Sequence, residues 1–436
     1  MATGMFHVEH RSLAAFGAGE GGLTVEGEGW RPSSQDEPAS HRGQEDVTQS
    51  LEQFIYLDNA ATTWPKPSLV MEAMTDFMAH SAGSPARGSH RLALAAGRTI
   101  SRCRSELAAF LGARQSSRLV FTLNTTDSLN LAIKGILRPG DHVVTSRIEH
   151  NSVTRPLHAL GRRMLVATDY VPVSPDGYLD PEDFRRLATP KTRLFILSHA
   201  SNVTGAVMPV REVGRIARAL GIPLLVDGAQ TVGLLPINLG DWPVDMLAFP
   251  GHKSLLGPPG TGGLFISAGL DLDTVREGGT GTQSELQEQP LQCPERHESG
   301  TPNTVGLAGL RAGIAYLKNE GREKIYRHEM GLTNRLAQGL QEVGPRVRLY
   351  LPRPELHGAP IVLFNVGEAD PCQVSFALDK SYGIACRGGL HCAPSTHRVL
   401  GTIGQGGAVR FSPGAFTTAE DIDKAVRAVQ DMAIQI

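Results

Sequence analysis

The sequence predicts an α/β protein: a large domain with a mostly parallel sheet covered by helices on both faces, then a smaller α+β C-terminal domain. Two observations predict it. From Phe54 onward, apolar runs of strand length alternate with segments whose apolar residues recur at helical spacing. Beyond Gly309 the rhythm changes to long helical stretches with a few strand-like runs between them. At 436 residues the chain is long enough to bury cores for both domains.

Residues 1–53 are rich in Gly, Glu, Ser and His and lack sustained periodicity, so they read as a disordered or loosely attached extension. Phe54 to Leu57 is a short apolar run ending in the turn chemistry of Asp58 and Asn59, and residues 54–67 are assigned to a segment joining the small domain. The large domain is expected over 68–308. In it Leu119 to Thr122 reads as a strand and Ser128 to Gly135 as the start of a helix. His142 to Ser146 and Arg193 to Ser198 read as further strands. Val210 to Leu220 is predicted helical, with Val213, Ile216, Ala217 and Leu220 at helical spacing and Gly221 closing it. Ile222 to Asp227 and Val244 to Phe249 read as buried strands. The small domain, 309–436, would hold helix from Gly309 to Leu340, strands within Arg346 to Val366, and a final amphipathic helix from Ala419 to Ile434.

Composition narrows the function. Lys and Arg number 42 against 44 Asp and Glu, which gives no electrostatic case for nucleic acid or an anionic membrane. No apolar run approaches the roughly 20 residues of a spanning helix, and the first fifty residues do not read as a secretory signal. The five cysteines, Cys103, Cys293, Cys372, Cys386 and Cys392, are scattered, with no CxxC pair and no metal-ligand spacing. A reduced, cytoplasmic protein fits that set.

In sheets of this class ligands bind beyond the carboxyl ends of the strands, and residues able to do chemistry recur there. Lys253 follows the Val244 to Phe249 strand in Pro250-Gly251-His252-Lys253, with a Gly/Pro-rich loop behind it. A lysine there either snorkels to solvent or is held, in which case desolvation lowers its pKa and frees the amine for a Schiff base. Asp227 ends a buried strand, either as a structural cap or as an anion set against a cation such as a pyridinium nitrogen. Asn124-Thr125-Thr126-Asp127 sits between a strand and a helix, as a phosphate cradle or an ordinary N-cap. His150, after Glu149, could stack on a planar cofactor or move protons, or simply be a hydrogen-bonded loop residue. Arg387 to Pro394 reads as a mobile, glycine-rich loop in which Cys392 lies beside His391 and near Arg387, a setting that can present a nucleophilic thiolate. Cys386, at the end of an apolar stretch, reads as packed. Arg410 alternates with apolar residues as on a strand, there to grip a carboxylate or to make a surface ion pair.

Taken in order, these residues resemble the cysteine desulfurase family, in the class V aminotransferase group of pyridoxal-phosphate enzymes. The resemblance runs from about Tyr56 to Met432 and rests on Tyr56 to Thr63, Glu149-His150, Ser201-Asn202-Val203-Thr204-Gly205, Val226 to Gln230, Gly251-His252-Lys253, Ser299 to Thr304 and His391-Cys392-Ala393. It implies a homodimer of the PLP-dependent transferase fold type I, with pyridoxal 5'-phosphate bound through Lys253. His150 would stack on the ring, Ala229 would pack its other face, Asp227 would pair with its nitrogen and Gln230 would reach its hydroxyl. Thr126 and His252 would bind the phosphate, with Thr125 in the same cradle and Thr301 contributed by the partner subunit. Asn202 and Arg410 would hold L-cysteine, Arg410 by its carboxylate, with Arg387 at the mouth and Cys392 as sulfur acceptor.

Only eighteen positions separate Cys392 from Arg410, which looks like the short-loop subgroup, where a dedicated acceptor protein often collects the sulfur. One departure stands out: Pro250 occupies a position where relatives usually have a phosphate-contacting serine, and proline offers neither hydroxyl nor N–H. Selenocysteine lyase, cysteine-sulfinate desulfinase and transaminase chemistry on the same fold are the alternatives. The glycine-rich Gly257 to Gly262 lacks the lysine of a nucleotide-binding loop and reads as a turn behind Lys253.

Overall fold

The computed structural model describes residues 54–85 and 89–435, so the expectation for residues 1–53 lies outside the described residues. In chain order, β1 (Ile55–Tyr56) precedes helices α1 (Ser68–His80) and α2 (Arg91–Phe110). An alternating run follows: β2 (Leu119–Thr122), α3 (Thr125–Ile136), β3 (His142–Ser146), α4 (Asn151–Met164), β4 (Ala167–Val171), α5 (Glu182–Leu187), β5 (Thr192–Ser198), α6 (Val210–Leu220) and β6 (Leu224–Asp227). Then β7 (Met246–Pro250) and β8 (Gly262–Ile266) lead to α7 (Thr304–Glu320) and α8 (Arg322–Glu342). The chain ends with β9 (Val347–Leu349), β10 (Val362–Val366), α9 (Pro371–Tyr382), β11 (Ile384–Ala385), β12 (Arg387–Gly389), α10 (Pro394–Leu400), β13 (Ala408–Phe411) and α11 (Ala419–Gln435).

Seven strands form one sheet in the order β2-β8-β7-β6-β5-β3-β4. Only β8 runs against the rest, pairing antiparallel with β2 and β7, so the sheet is mostly parallel as expected. Its strands are apolar on both faces because helices cover both. Phe195, Leu197 and Val226 enter one core with α2, α6 and α7, while Leu194, Ile196 and Leu225 enter the opposite core with α3 and α4. A second, antiparallel sheet, β12-β13-β10-β9, packs with α8, α9 and α11 around Leu336, Phe364, Phe411 and Val429. The N-terminal segment joins this smaller lobe: β1 pairs in parallel with β11, and Ile55 and Leu57 are part of its core.

Local signals account for most boundaries. Asn124 caps α3 by accepting from Asp127 N, and Gly221 ends α6 in the left-handed conformation at φ 67°. Asp370 caps α9 through Cys372 N and Gln373 N. By packing, α7 belongs to the large domain: its Leu307, Leu310, Ile314 and Leu317 lie in the core with Phe249 and Leu255, so that core extends well past residue 308. A Cβ at Gly313 would stand 2.4 Å from Leu255 O, so the helix needs glycine there to lie on that loop.

One ion pair ties the sheet to the loop ahead of α7. Arg104 on α2 grips Glu298 with both terminal nitrogens, at 2.6 and 2.8 Å, and donates to Leu119 O, while Glu298 also accepts from Phe121 N. Both side chains are largely buried, so removing one leaves an uncompensated charge. Arg104→Ala is expected to lower stability by about 3–5 kcal/mol, read from urea unfolding; a loss near that of an exposed pair would show that water reaches Glu298.

Candidate active site

The carboxyl ends of β3, β5 and β6, the N-termini of α3 and α4, and the small lobe's β12 and β13 enclose one cavity of about 280 Å³. Lys253, His150, Asp227, Ala229, Gln230, His252, Thr125, Thr126, Asn202, Arg387 and Arg410 all line it. These eleven were singled out from sequence, from segments up to 285 positions apart. Thr301 does not line this cavity; it is exposed, in a smaller cleft beside Leu123 and Arg276. Cys392 is exposed and stands next to the lining residue His391.

Lys253 is held in the site rather than displayed on the surface. Burial pushes its pKa down to about 8, helped by the Arg410 charge and opposed by Asp227. Asp227 is buried at the end of β6, and one neutral donor reaches it, Ala229 N at 2.9 Å to Oδ1. Burial raises its pKa, and the nearby Lys253 works against that rise. A carboxylate so sparsely solvated favours a cation or N–H directly in front of it.

The N-terminus of α3 forms a wall of the cavity with the N–H groups an anion would need. Asn124 Oδ1 takes Asp127 N at 3.0 Å, leaving the Thr125 and Thr126 N–H groups directed from the helix end into the cavity rim. Thr126 Oγ1 lies 2.8 Å from Ser152 Oγ, which lies 2.8 Å from His150 Nδ1. His150 Nδ1 also accepts from Ser152 N at 3.0 Å, so the proton of the neutral ring sits on Nε2. Burial, then the charges of Lys253 and Arg155, push the His150 pKa down to about 4. His252 is likewise lowered to about 4 by burial and Lys253, and its buried Nδ1 has no partner among the described residues. Pro250 ends β7 opposite Gly262.

Two arginines share one carboxylate at the other end. Arg410, buried on β13, donates from Nη2 to Asp58 Oδ1 at 2.6 Å and from Nη1 to Asn202 O at 2.9 Å. Arg387, half exposed, places Nε 3.4 Å from Asp58 Oδ2. Arg410 Nε is buried and has no partner among the described residues. Gln230 Nε2 donates to Ala60 O at 3.1 Å.

The loop carrying Cys392 is tied to both neighbouring elements. Arg387 to Gly389 form β12, and its glycines serve close packing: a Cβ at Gly388 would meet Pro371 O at 2.1 Å. His391 and Cys392 both adopt left-handed backbone, φ 50° and 56°, a conformation costing roughly 1–2 kcal/mol per non-glycine residue. Hydrogen bonds offset that strain: Asn202 Nδ2 donates to His391 O at 2.7 Å and Asn151 N to Cys392 O at 2.7 Å. Cys386 is packed as expected, its thiol pushed up to about 12 by burial.

Several residues beside the cavity received no role of their own in the sequence analysis. Asp58 appeared there as turn chemistry after β1 and within the resembling stretch Tyr56 to Thr63. Glu149 clips β3 to β5 by accepting from Ser146 Oγ, Ser198 Oγ and Ser198 N, and burial raises its pKa to about 7. Lys66 bonds Thr63 Oγ1 and His252 O at 2.6 and 2.7 Å, and nothing in its local sequence marks it.

Burial shifts the pKa of seven histidines downward: His150, His199, His252, His297, His357, His391 and His397. The unfolded chain would take up these protons near pH 6.5 while the folded chain resists. Their stabilising contribution is therefore full above pH 6.5 and lost as pH falls toward 4, outweighing the opposite trend of buried Glu149 and Glu329. The urea midpoint should fall across that window; a flat profile would mean that the histidines protonate in the folded state.

The donor set fits pyridoxal 5'-phosphate. A helix N-terminus and a free imidazole nitrogen suit a phosphate, a sparsely solvated carboxylate suits a protonated ring nitrogen, and a lysine whose ammonium is destabilised suits a carbonyl. Among the described residues there is no group of three or more His, Cys, Asp or Glu placed to hold a metal, and no helix is long and apolar enough to cross a membrane.

Comparison with known proteins agrees. The sequence model of the family described as "Aminotransferase class-V" matches residues 55–425. The chain is 34% identical over 389 residues to a probable cysteine desulfurase of Methanothermobacter thermautotrophicus, covering 88% of this chain and 96% of that one. It is 33% identical to a cysteine desulfurase of Pectobacterium carotovorum, covering 86% and 92%. Among solved structures, the apo cysteine desulfurase of Thermococcus onnurineus NA1 superimposes with a TM-score of 0.81 at 33% identity, covering 90% of this chain and 98% of that one.

Proposed function

The chain belongs to the cysteine desulfurases of the class V aminotransferase family, and we propose that it uses pyridoxal 5'-phosphate to convert L-cysteine to L-alanine, with the sulfur delivered to Cys392. The observation that carries this reading is the cavity itself: Lys253, Asp227, the α3 N-terminus and Arg410 line one space, and Cys392 is tethered beside it.

The bound cofactor supplies an electron sink for the bonds around the substrate's Cα. The protein's own residues do the rest. Thr125, Thr126 and His252 would hold the phosphate. Asp227 would pair with the ring nitrogen, Gln230 would reach the ring hydroxyl, and His150 and Ala229 would pack against the ring. Arg410 takes the substrate carboxylate, assisted by Asn202 and Arg387, which fixes the substrate's orientation. Lys253 Nζ, with its pKa near 8, exchanges the proton at Cα. The Cys392 thiolate attacks the substrate sulfur: an S–S bond forms, the Cβ–S bond breaks, and the electron pair passes to carbon. The balance is L-cysteine plus the Cys392 thiol giving L-alanine plus a Cys392 persulfide.

The proposal includes a homodimer in which Thr301 of one copy serves the phosphate site of the other, which its exposure outside its own chain's cavity supports. It also includes an acceptor protein that collects the persulfide sulfur, with iron–sulfur cluster assembly as the pathway, and a cytoplasmic setting that keeps Cys392 reduced.

The test is the absorption spectrum of the purified protein, then L-cysteine under reductant with alanine and sulfide quantified. A visible cofactor band with equimolar alanine and sulfide is expected. A band without sulfide would overturn the cysteine assignment and move the substrate to selenocysteine, cysteine sulfinate or a transamination partner.

A further inference from the structure

Behind the Cys392 loop lies a chain of buried polar side chains that the proposed chemistry does not use. His391 Nε2 is 3.2 Å from Arg387 O, and His391 Nδ1 is 3.1 Å from His397 Nε2. His397 Nδ1 in turn is 2.7 Å from Thr402 Oγ1. The ring planes differ by 22° and their centroids are 5.3 Å apart, the separation of two imidazoles joined edge to edge. His397 and Thr402 are almost fully buried, as is His391.

The protons in this chain have one consistent placement. A carbonyl only accepts, so His391 Nε2 carries the hydrogen and its Nδ1 accepts. His397 Nε2 must then donate, which leaves His397 Nδ1 to accept from the Thr402 hydroxyl. Burial keeps both rings neutral, lowering His397 to about 4 and His391 well below its ordinary value. The far end is rigid as well: Thr402 N donates to His397 O at 2.9 Å, and Gly401 ends α10 in left-handed backbone.

This chain meets the backbone where it is strained, at the two consecutive left-handed residues His391 and Cys392. We propose that His397 is a positioning residue for sulfur transfer: by donating to His391 it fixes that ring between β12 and α10, holds the His391–Cys392 turn, and so aims the Cys392 thiol at the substrate. The inference rests on Cys392 being the sulfur acceptor. His397 is buried and does not line the cavity, so its effect should fall on the reaction step rather than on binding.

The test compares His397→Leu, which removes donor and acceptor, with His397→Gln, whose amide supplies both. The cofactor-loaded variants are assayed for absorbance, KM for L-cysteine, kcat for alanine and persulfide on Cys392. His397→Leu should keep the absorbance and hold KM within about twofold, with kcat and persulfide formation falling roughly 10- to 100-fold, as for a small displacement of a reacting group. His397→Gln should recover most of that loss. Wild-type kcat in His397→Leu overturns the proposal, and so does a parallel loss of absorbance, KM and kcat that glutamine does not rescue. Should His397→Leu not fold, Thr402→Val and Thr402→Ser replace it: a lower kcat in valine alone supports the proposal, and equal values overturn it. Cys392→Ser is assayed alongside. Turnover in that variant overturns the acceptor assignment itself, whereas its inactivity with an unaffected His397→Leu overturns the positioning role alone.

Discussion

Lys253→Ala, purified with pyridoxal 5'-phosphate supplied, is expected to lack the visible absorbance of the lysine-bound cofactor and to lose L-cysteine turnover by roughly 10³-fold or more. Lys253 is the one lysine lining the described cavity. Lys66 is close in space but spends its ammonium on Thr63 Oγ1 and the His252 carbonyl, and burial alone, not a cavity charge, lowers its pKa to about 8. A visible band that survives Lys253→Ala would mean that another amine carries the cofactor. The loss should also be specific to chemistry: Asp227, His252 and the α3 N-terminus remain, so the variant should still retain cofactor, measurable after acid release. A variant that binds none would show that the polar groups alone cannot hold it.

Cys392→Ser is expected to keep the cofactor spectrum and lose persulfide and alanine formation, with turnover falling by roughly 10³-fold or more, as for removal of a nucleophile. The other cysteines are poorly placed to replace it. Cys103 and Cys386 are packed, with thiols pushed up to about 12 by burial, and Cys293 is also shifted upward by burial. Cys372 is exposed at the start of α9 and is not among the residues lining the cavity. Mass spectrometry of the enzyme after one equivalent of L-cysteine should find the extra sulfur on Cys392 in the native protein and on no cysteine in the variant. Undiminished alanine production by Cys392→Ser would exclude it as the acceptor.

Much of the fold was legible because its signals are local. The β2 and β3 bounds match the apolar runs Leu119 to Thr122 and His142 to Ser146, and α6 follows its helical spacing to a terminal glycine. What stayed hidden depends on long-range packing. β8 begins Gly262-Gly263 and reads as more of the preceding turn; in the sheet it is a strand because Gly263 makes room for Phe249, whose ring would stand 2.5 Å from an added Cβ. β4 is an edge strand with alternating exposure, too short and polar to stand out. The helical pattern around Gly321 gives no sign that α7 packs on the large sheet and α8 on the small one; only the identity of the facing residues decides that.

The site divides the same way. Lys253, Asp227 and Thr126 were visible because each sits where a strand ends or a helix begins, a place the chain itself marks. The pairing of Asp58 was not, because it depends on Arg410, and a carboxylate after a short strand looks like any turn residue. The glycines near Cys392 suggested mobility, yet Gly388 is there because Pro371 leaves no room for a side chain. His397 and Thr402 gave no signal at all: a histidine and a threonine five positions apart acquire meaning only when the fold turns both toward His391.

The Asp58–Arg410 pair spans 352 positions, and among the described residues β1 pairs with no strand but β11. That separation sets a timetable for synthesis. At 5–20 residues per second, Asp58 leaves the ribosome on the order of tens of seconds before Arg410 does. The large sheet can assemble in that interval, whereas the β1 segment must wait, with Ile55 and Leu57 uncovered, for strands that do not yet exist. The Asp58–Arg410 pair can therefore close only after β13 is made, and a nascent chain stalled before β13 would carry Asp58 with neither Arg410 nor Arg387 docked beside it.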